Sequence, residues 1–513
     1  MGNGCYAGAM LKSARQLSWY AFVFLLPWQT VWIVHEVFVR GEKWQYATIG
    51  LYLSDAALLT CAAFFVFGAK RGVWRTLARD RLFIAISTLF LWSLLSALWA
   101  VDESLAFLSA WRVLLLVLAF VLARYGGFSI RKTISVFLLS MSIQALLALS
   151  QWVGQFVALS TLLGMAEHDP SRWGTFVLKT ENGRFLRAYG GFEHPNVLGG
   201  ALAVAALFGG WFSVTAKKVS FRAASLGATA LLSFVLVLTF SRSGWMGFFF
   251  GTGVLFFGFI RCLKCSLFLS FPRRRESTLY QDSDVPRENF SETRLSTVDI
   301  ADNFPRKSCF NSSGVLWYLD SRLRGNDGRG WVSSVVIVVL LTFISYSVAF
   351  FLVRDIALSR FSEATLVREG SLSDREIFLD QAFRTIREHP ILGVGGGNFT
   401  AFSMWRFPDV GDFVGAFQPV HVVPILVCAE LGLVGFLLFS RILLIWLFSA
   451  WKSRNALSLA VFCALLPVLF LDHWLWSGHF GVIFLGFLLG VCVRANADAE
   501  LEIIPSARSR SFQ

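Results

Sequence analysis

The chain has 513 residues, of which 56% are hydrophobic, 16% aromatic and only 15% charged, and its formal net charge at pH 7 is +13. Its mean hydropathy of +0.61 means more apolar surface than a soluble protein could bury, which excludes a soluble enzyme and predicts a multi-pass membrane protein. In such a protein the positive charge reflects orientation and contact with anionic membrane lipids, so nucleic-acid binding is not needed to explain it.

Apolar runs of roughly 18 to 22 residues recur along the chain, which is the length that an α-helix needs to cross about 30 Å of hydrocarbon. We therefore predict an all-α polytopic fold with about twelve transmembrane helices. The first run is too long for a signal-peptide core and lacks a cleavage site of small residues, so it is predicted to be a membrane helix. The predicted spans lie near residues 19–39, 47–67, 82–100, 105–123, 133–155, 192–214, 223–240, 244–260, 332–353, 422–448, 457–471 and 480–493.

The Lys and Arg residues of the short loops lie mostly on one side of this predicted topology. Cytoplasmic loops retain positive charge, so this side is predicted to be cytoplasmic and to hold both termini. All seven histidines then fall on or near the outer face, as do two long loops, residues 156–191 and 354–419. Any chemistry is therefore predicted to take place outside the cytoplasm.

One arginine interrupts the apolar run LLSFVLVLTFSRSGWMGFFFGTG at residues 231–253. An ionised guanidinium at the edge of hydrocarbon costs at least a few kcal/mol, so Arg242 is predicted to serve an ion or an anionic substrate. Arg112 and Asp55 are further charges within predicted spans. For these two, bonds to neighbouring helices are the favoured interpretation over a functional role.

A polar, charge-rich segment at residues 271–331 differs from the rest of the chain and divides it. It begins FPRRRES and closes DSRLRGND, peptides that opposite strands of one DNA element can encode, so we hypothesise an in-frame inverted-repeat insertion that is cytoplasmic and disordered. A basic regulatory or lipid-binding segment is the alternative. The predicted parts are residues 1–270 with helices one to eight, the insert, residues 332–493 with helices nine to twelve and the outer loop 354–419, and a cytoplasmic tail at 494–513.

The large outer loop contains a predicted amphipathic helix. Ser373 and Glu376 form an S-x-x-E capping box, and Leu379, Phe383 and Ile386 follow at helical spacing. The peptide SDREIFLDQAFRTIREH is therefore predicted to lie over the membrane face as a helix that ends at the following proline.

Two candidate functional elements come after this helix. The glycines of HPILGVGGGNF, residues 389–399, suit a tight turn and could also expose N–H groups to an anion. His421 stands where the chain re-enters the membrane, and imidazole is the side chain best suited to accept a proton at neutral pH. An interfacial histidine held by a backbone carbonyl is the alternative.

No metal or other cofactor is predicted. The only D-x-D pattern, residues 282–284, lies in the insert, and the CLKC at residues 262–265 is a lone CxxC pair. Asp409 and Asp412 in the outer loop are typical of solvated turns. The sequence therefore favours chemistry that depends on fixed side-chain charge.

Four motifs in order resemble the O-antigen ligase and polymerase superfamily. They are RAYGGFEHPNVLGG at 187–200, TFSRSGWMG at 239–247, HPILGVGGGNF at 389–399, and His421 followed by AELGLVG at 429–435. The resemblance extends over roughly residues 19–493 apart from the insert.

This resemblance implies a glycosyltransferase fold of the C type with a large periplasmic loop between helices nine and ten. It implies an inverting transferase at the outer face of the bacterial inner membrane, which takes a glycan from undecaprenyl diphosphate and passes it to lipid A core. The resemblance implies that the family's essential arginine is Arg242 in this chain and that its essential histidine is His421. The arginine of the loop helix corresponds to Arg375.

The chemistry of the residues agrees with that assignment. A diphosphate is already a good leaving group, so the enzyme has to stabilise negative charge and deprotonate an acceptor hydroxyl. Arg242, Arg375 and Arg187 are predicted to hold the diphosphate, and His421 is predicted to be the base. The other predicted site residues are His194, Asn196 and Asn398 for substrate binding, and Glu430, which supports His421. Helix capping explains His194 and Asn196 equally well, and a helix contact explains Glu430.

Alternative functions remain open at this point. A repeat-unit polymerase would use a second undecaprenyl-linked chain as its acceptor, and a protein-glycosylating relative would use a protein. A non-enzymatic transporter would line an ion path with the charges within the spans. Transporters often contain two corresponding halves, and the sequence contains none, which disfavours that interpretation.

Overall fold

The computed structural model describes residues 2–39, 41–172, 174–180, 183–216, 218–269, 328–359, 371–408 and 417–501. The hypothesised insert at 271–331 lies almost wholly outside these residues. The described chain is mainly helical. Its helices are α1 (Gly2–Leu25), α2 (Leu53–Gly68), α3 (Arg71–Leu77), α4 (Arg81–Leu95), α5 (Glu103–Tyr125), α6 (Ile130–Gly154), α7 (Pro195–Thr215), α8 (Val219–Leu238), α9 (Arg242–Leu269), α10 (Gly328–Leu352), α11 (Arg354–Ser359), α12 (Ser371–Glu388), α13 (Phe399–Arg406), α14 (Val423–Lys452), α15 (Ala456–Leu471), α16 (Trp474–Ser477) and α17 (His479–Leu501).

The long apolar helices identify a multi-pass membrane protein. Among the described residues, six helical segments are long and apolar enough to cross a membrane: Arg81–Leu98, α5, α6, α7, α8 and α14. The bent pair α2 and α3, with 116° between its members, would add a seventh if it forms one broken span. Shorter apolar segments occur in α10, α15 and α17. These findings confirm a helical polytopic fold, whereas they do not establish the predicted number of about twelve spans.

The first two predicted spans have the wrong bounds. In place of the helix predicted at 19–39, the structure has α1, which lies nearer the N-terminus and ends shortly before Pro27. The residues VWIVH then form strand β1 (Val31–His35), which pairs antiparallel with a strand at Ile49–Tyr52. Proline cannot continue a helix, and β-branched and aromatic residues favour extended backbone, so this stretch leaves the helical state.

The remaining strands are short and lie outside the helices. In chain order the strands after β1 are β2 (Phe38–Val39), β3 (Glu42–Lys43), β4 (Ile49–Tyr52), β5 (Val177–Thr180) and β6 (Gly183–Leu186). Within the part of the chain that the structure describes, the strands form three two-stranded antiparallel sheets, β1 with β4, β2 with β3, and β5 with β6.

Helix α7 lies at the centre of the bundle. It is buried along nearly its whole length and packs against α8, α9 and α15. Its contact with α9 depends on two glycines, because a Cβ on Gly244 would lie 2.9 Å from the carbonyl carbon of Gly199. Small residues at a helix crossing allow such close approach in a membrane protein, so the start of α9 is held tightly against α7.

A break in α14 is filled by the glycine-rich loop. Gly432 has a φ of +68° inside this helix, and a Cβ there would lie 2.0 Å from the carbonyl oxygen of Ile391. Gly395 donates its N–H to the carbonyl of Glu430 at 2.9 Å. Because the loop bonds a carbonyl beside the break, α14 can bend inside the protein without leaving this backbone group unpaired.

Candidate functional site

Five polar residues from distant parts of the sequence come together beside the first turns of α9 and α12. This arginine–histidine cluster consists of Arg242, Arg375, His421, Asp472 and His473. Arg375 interacts electrostatically with Arg242 and Asp472 and also with His421. The ring centroids of His421 and His473 are 4.8 Å apart, with the rings perpendicular. The structure therefore joins Arg242, Arg375 and His421, the residues that the sequence singled out.

The local sequence places Arg242 at the first position of α9. Phe240 has a positive φ of +50°, which turns the chain sharply before the helix. Ser241 then caps α9, because its Oγ accepts the N–H of Gly244 at 3.2 Å. Arg242 is partly exposed to solvent. A cation at a helix N-terminus adds to the positive end of the dipole, so this position favours an anion.

Arg375 lies in the first turns of α12, as the amphipathic-helix prediction implied, although α12 begins at Ser371. Its Nη2 donates to the carbonyl of Leu471 at 3.3 Å. Burial and the nearby Arg242 lower the pKa of Arg375, and Asp472 opposes that shift. The charges of Arg242 and Arg375 repel each other, so a bound anion would stabilise both.

Asp472 is the acidic member of the cluster and is 4% exposed. Its Oδ1 accepts the backbone N–H of His473 at 3.1 Å. Burial raises the pKa of Asp472 to about 6, against the opposing effects of the His473 N–H and the Arg375 charge. The carboxylate is therefore mostly ionised at neutral pH and reduces the net positive charge of the cluster.

The two histidines of the cluster are uncharged at neutral pH. Burial, followed by His473 and Arg375, lowers the pKa of His421 well below 6.5. Burial and Arg375 lower the pKa of His473 to about 4, and its Nδ1 lies 2.6 Å from the Ser477 Oγ. The ring of Phe378, from α12, stacks on His421 with 5.9 Å between centroids. A neutral imidazole beside two guanidinium groups is free to accept a proton.

Arg187 and Asn196 connect the start of α7 to the turn before α9. Arg187 is 3% exposed, and its Nε donates to the carbonyl of Thr239 at 2.8 Å. Its Nη2 donates to the Asn196 Oδ1 at 2.6 Å. These bonds position the turn that carries Arg242, which is a structural task for an arginine predicted to bind diphosphate.

His194 caps α7. Its Nδ1 accepts the backbone N–H of Asn196 at 2.9 Å, and its ring centroid lies 3.9 Å from that of Phe176. The hydrogen bond of His194 is therefore the one that the helix-capping interpretation predicts.

The glycine-rich loop binds protein groups through its backbone. Gly396 donates its N–H to the Ser96 Oγ at 3.0 Å. Asn398 is fully buried, accepts the N–H of Asp102 at 2.7 Å, and donates to the carbonyls of Asp102 and Gly396, each at 3.0 Å. These contacts match the turn interpretation of the loop rather than the anion-binding one, and they give the Asn398 amide a role in fixing the loop to the start of α5.

Glu430 and the other charges within helices are bonded to the protein. The Glu430 carboxylate accepts N–H groups of Gly397 and Phe399, so it lies at the N-terminus of α13. The Nη1 of Arg112 donates to the carbonyl of Ser477 at 2.9 Å. Asp55 and His479 approach to 2.9 Å between Oδ1 and Nε2. Asp55 and Arg112 thus have the helix-to-helix contacts that were the favoured interpretation.

Sequence reasoning did not identify Asp472 and His473 as members of the site. His473 was grouped only with the other histidines of the outer face. The available signal was the LDHW sequence, an acid and an imidazole side by side directly after the apolar run of α15. A pair of ionisable residues at the end of an apolar membrane helix is a candidate functional site, because placing such residues next to hydrocarbon costs free energy.

Part of the chain matches a known family model. Residues 312–440 match the family model described as O-antigen ligase. The matched residues include Arg375 and His421, whereas Arg242, Asp472 and His473 lie outside them. Among curated proteins, none matches this chain. Residues 312–440 of this chain are therefore similar to the O-antigen ligase superfamily.

Proposed function

We propose that this protein is an O-antigen ligase that works at the periplasmic face of the bacterial inner membrane. It would take a glycan from undecaprenyl diphosphate and join it to a lipid A core-type acceptor. The observation that carries the proposal is the arginine–histidine cluster: the Arg375 charge acts on both Arg242 and His421, and the ring centroid of His421 lies 4.8 Å from that of His473. The match of residues 312–440 to the O-antigen ligase family model supports the same class of substrate.

Arg242 and Arg375 supply the positive charge that a diphosphate leaving group needs. In the transfer, the bond between the anomeric carbon and the diphosphate oxygen breaks, and negative charge develops on that oxygen. Two guanidinium groups and the N-terminus of α9, where Arg242 lies, would stabilise this charge. The Asp472 charge offsets part of the Arg375 charge without neutralising both arginines.

His421 is the proposed base. As the acceptor hydroxyl oxygen forms its bond to the anomeric carbon, its proton passes to the imidazole, which is neutral at physiological pH. A single in-line displacement of this kind inverts the configuration at the anomeric carbon. His473 lies against His421 and is also neutral at physiological pH. It therefore offers no negative charge that would favour protonation of His421 before the reaction.

The proposed reaction is independent of metal ions, because guanidinium groups do the work that a divalent cation does in other diphosphate sites. We expect turnover to be unchanged in an excess of chelator. An activity that disappears with chelator and returns with magnesium would contradict this part of the proposal.

The test is transfer in reconstituted membranes from glycan-bearing undecaprenyl diphosphate to lipid A core. We expect Arg242→Ala and His421→Ala to lower kcat by about a hundredfold or more, as the loss of a group that stabilises charge or moves a proton does elsewhere. Arg384→Ala is the matched control, because Arg384 lies on α12 but is 56% exposed and pairs with Asp380 on the surface. Unchanged turnover in both cluster variants would refute the proposed site.

The same assay separates the ligase from a repeat-unit polymerase. Product attached to lipid A core supports the ligase, whereas chain growth on a second undecaprenyl-linked glycan, with lipid A core left unmodified, would replace it with the polymerase.

A further inference from the structure

Three polar residues beyond His473 have no part in the mechanism above. They are Tyr46, Tyr52 and Glu193, and we refer to them as the Glu193 group. Tyr46 lies in the 3-10 turn Gln45–Ala47, and Tyr52 ends β4. Glu193 precedes the His194 cap of α7. All three lie outside the long helices.

The Glu193 group adjoins the arginine–histidine cluster through one ring contact. The ring centroid of Tyr46 lies 6.3 Å from that of His473, at an angle of 68°. His473 in turn lies 4.8 Å from His421, the proposed base. A ligand bound against Tyr46 is therefore separated from the reacting groups by a single imidazole.

Glu193 lies near both phenols. Its charge acts on both Tyr46 and Tyr52, and Arg112 is the cation that acts on Glu193. The side chain of Glu193 is nevertheless solvent-exposed, and both tyrosines are partly exposed. Within the described chain, no hydrogen bond or salt bridge engages the Glu193 carboxylate, so its acceptor oxygens are available to a ligand.

Both tyrosines pack against other parts of the protein. The turn of Tyr46 is anchored by Trp44 and Ala47, which are buried against Leu105 of α5. The ring of Tyr52 stacks on His479 with 3.7 Å between centroids. Partly exposed rings that are already fixed by their neighbours can bind a ligand without a large loss of conformational entropy.

We infer that the Glu193 group is a saccharide-binding subsite, which holds one pyranose residue of the glycan next to the diphosphate. A pyranose offers several hydroxyl donors at its edge and apolar C–H groups on its faces. An ionised carboxylate accepts hydrogen bonds from hydroxyls, and a tyrosine ring offers an apolar body with a polar tip. This inference rests on the proposed function, since it assigns a second part of the same substrate site.

The chemistry of the subsite suits a sugar of the donor or of the acceptor. The carboxylate disfavours a further phosphate at this position, because two anions would repel each other. Glu193 reaches solvent, but the protein atoms around its carboxyl raise its pKa, and the Arg112 charge opposes that rise and favours the ionised form.

The test measures binding by the purified full-length protein in detergent, with three probes. They are undecaprenyl diphosphate alone, undecaprenyl diphosphate that carries a saccharide, and a soluble core oligosaccharide released from lipid A. We expect Glu193→Gln and Tyr46→Phe each to weaken binding of one saccharide-bearing probe by about tenfold, which is typical for a lost hydrogen bond to a charged or buried group. Binding of the bare lipid diphosphate is expected to remain unchanged.

The matched control is Glu167→Gln, since Glu167 is a glutamate of another loop that pairs with Arg172 at 3.0 Å. It is expected to bind all three probes as the native protein does. A loss confined to the saccharide-bearing donor assigns the subsite to the donor sugar, and a loss confined to the core oligosaccharide assigns it to the acceptor.

Equal binding of every probe by native protein and both variants would overturn the subsite. A matching loss with bare undecaprenyl diphosphate would overturn it too, because Glu193 would then act on the arginines and not on sugar. These binding measurements need no turnover, so failure of the subsite can be distinguished from failure of the proposed transferase function. A native protein that binds the probes but transfers nothing would refute the transferase and leave the saccharide subsite supported.

Discussion

Glu430 of α14 accepts a hydrogen bond from the indole of Trp476 in α16, with 2.8 Å between Oε2 and Nε1. This bond joins the helix that begins just after His421 to the short helix that begins just after His473. Both partners are about 5% exposed. The spacing of the two histidines of the cluster is therefore linked to a buried contact between residues that do not belong to it.

The Glu430 contact predicts a positioning effect. Glu430→Leu leaves the Trp476 N–H and the N–H groups of Gly397 and Phe399 without their acceptor, so we expect a loss of about 1–3 kcal/mol in the free energy of unfolding for each group left unpaired. We also expect lower kcat with an unchanged KM for the donor, because the base moves while the arginines stay. Thermal unfolding in detergent and steady-state kinetics measure the two effects.

Glu430→Gln is the conservative comparison, since its amide oxygen still accepts one hydrogen bond. It should recover a large part of both the stability and the turnover. If Glu430→Gln and Glu430→Leu were equally inactive while both were folded, the carboxylate charge itself would matter, and the positioning role would be wrong.

Local signals in the sequence predicted several elements of the site. The capping box and the helical spacing predicted a helix that contains Arg375. The structure has this helix as α12, Ser371–Glu388. The charge of Arg242 within an apolar run singled out the start of α9. Both are short-range patterns, in which neighbours in the sequence determine the outcome.

Contacts between distant residues could not be predicted in this way. His473 meets His421 only because α15, α16 and α17 reverse the chain, and nothing in either local sequence specifies that pairing. The strand at Val31–His35 was missed because hydropathy alone does not separate a short apolar strand from a helix. The glycines at 393–397 were ambiguous until the break of α14 at Gly432 explained what they pack against.

The crossing of α7 and α9 predicts that Arg242 depends on a glycine. Gly244→Ala would place a methyl group within 2.9 to 3.2 Å of three backbone atoms of Gly199, so the helices must separate. We expect a loss of about 1–3 kcal/mol in the free energy of unfolding, as overpacking of tight contacts produces elsewhere. Turnover should fall as well, since the first turn of α9 carries Arg242.

Gly253→Ala on the same helix is the matched control. A Cβ at Gly253 meets no heavy atom within 4 Å, so alanine there should raise the unfolding temperature slightly through its better helix propensity. A Gly244→Ala variant as stable and as active as Gly253→Ala would show that close approach of α7 and α9 is not required.

The lowered pKa of His421 predicts the pH dependence of transfer. The folded protein disfavours the protonated imidazole because of burial, His473 and Arg375, so the base stays neutral below the ordinary value of 6.5. We expect kcat/KM to remain constant as the pH falls to about 6.5 and to decline only at lower pH, when His421 gains a proton. Arg375→Gln removes one positive neighbour, which raises the pKa of His421 and moves this decline to higher pH.

Asp472 also titrates in this range, since its pKa is about 6, and removal of Arg375 would raise that pKa further. The pH profile is therefore compared between Asp472→Asn and the double variant Asp472→Asn with Arg375→Gln, which isolates His421. Arg384→Gln, on the exposed side of the same helix, should leave the decline where the native protein has it. A decline that keeps its position in the double variant, or moves to lower pH, would show that the Arg375 charge does not control the protonation of the base.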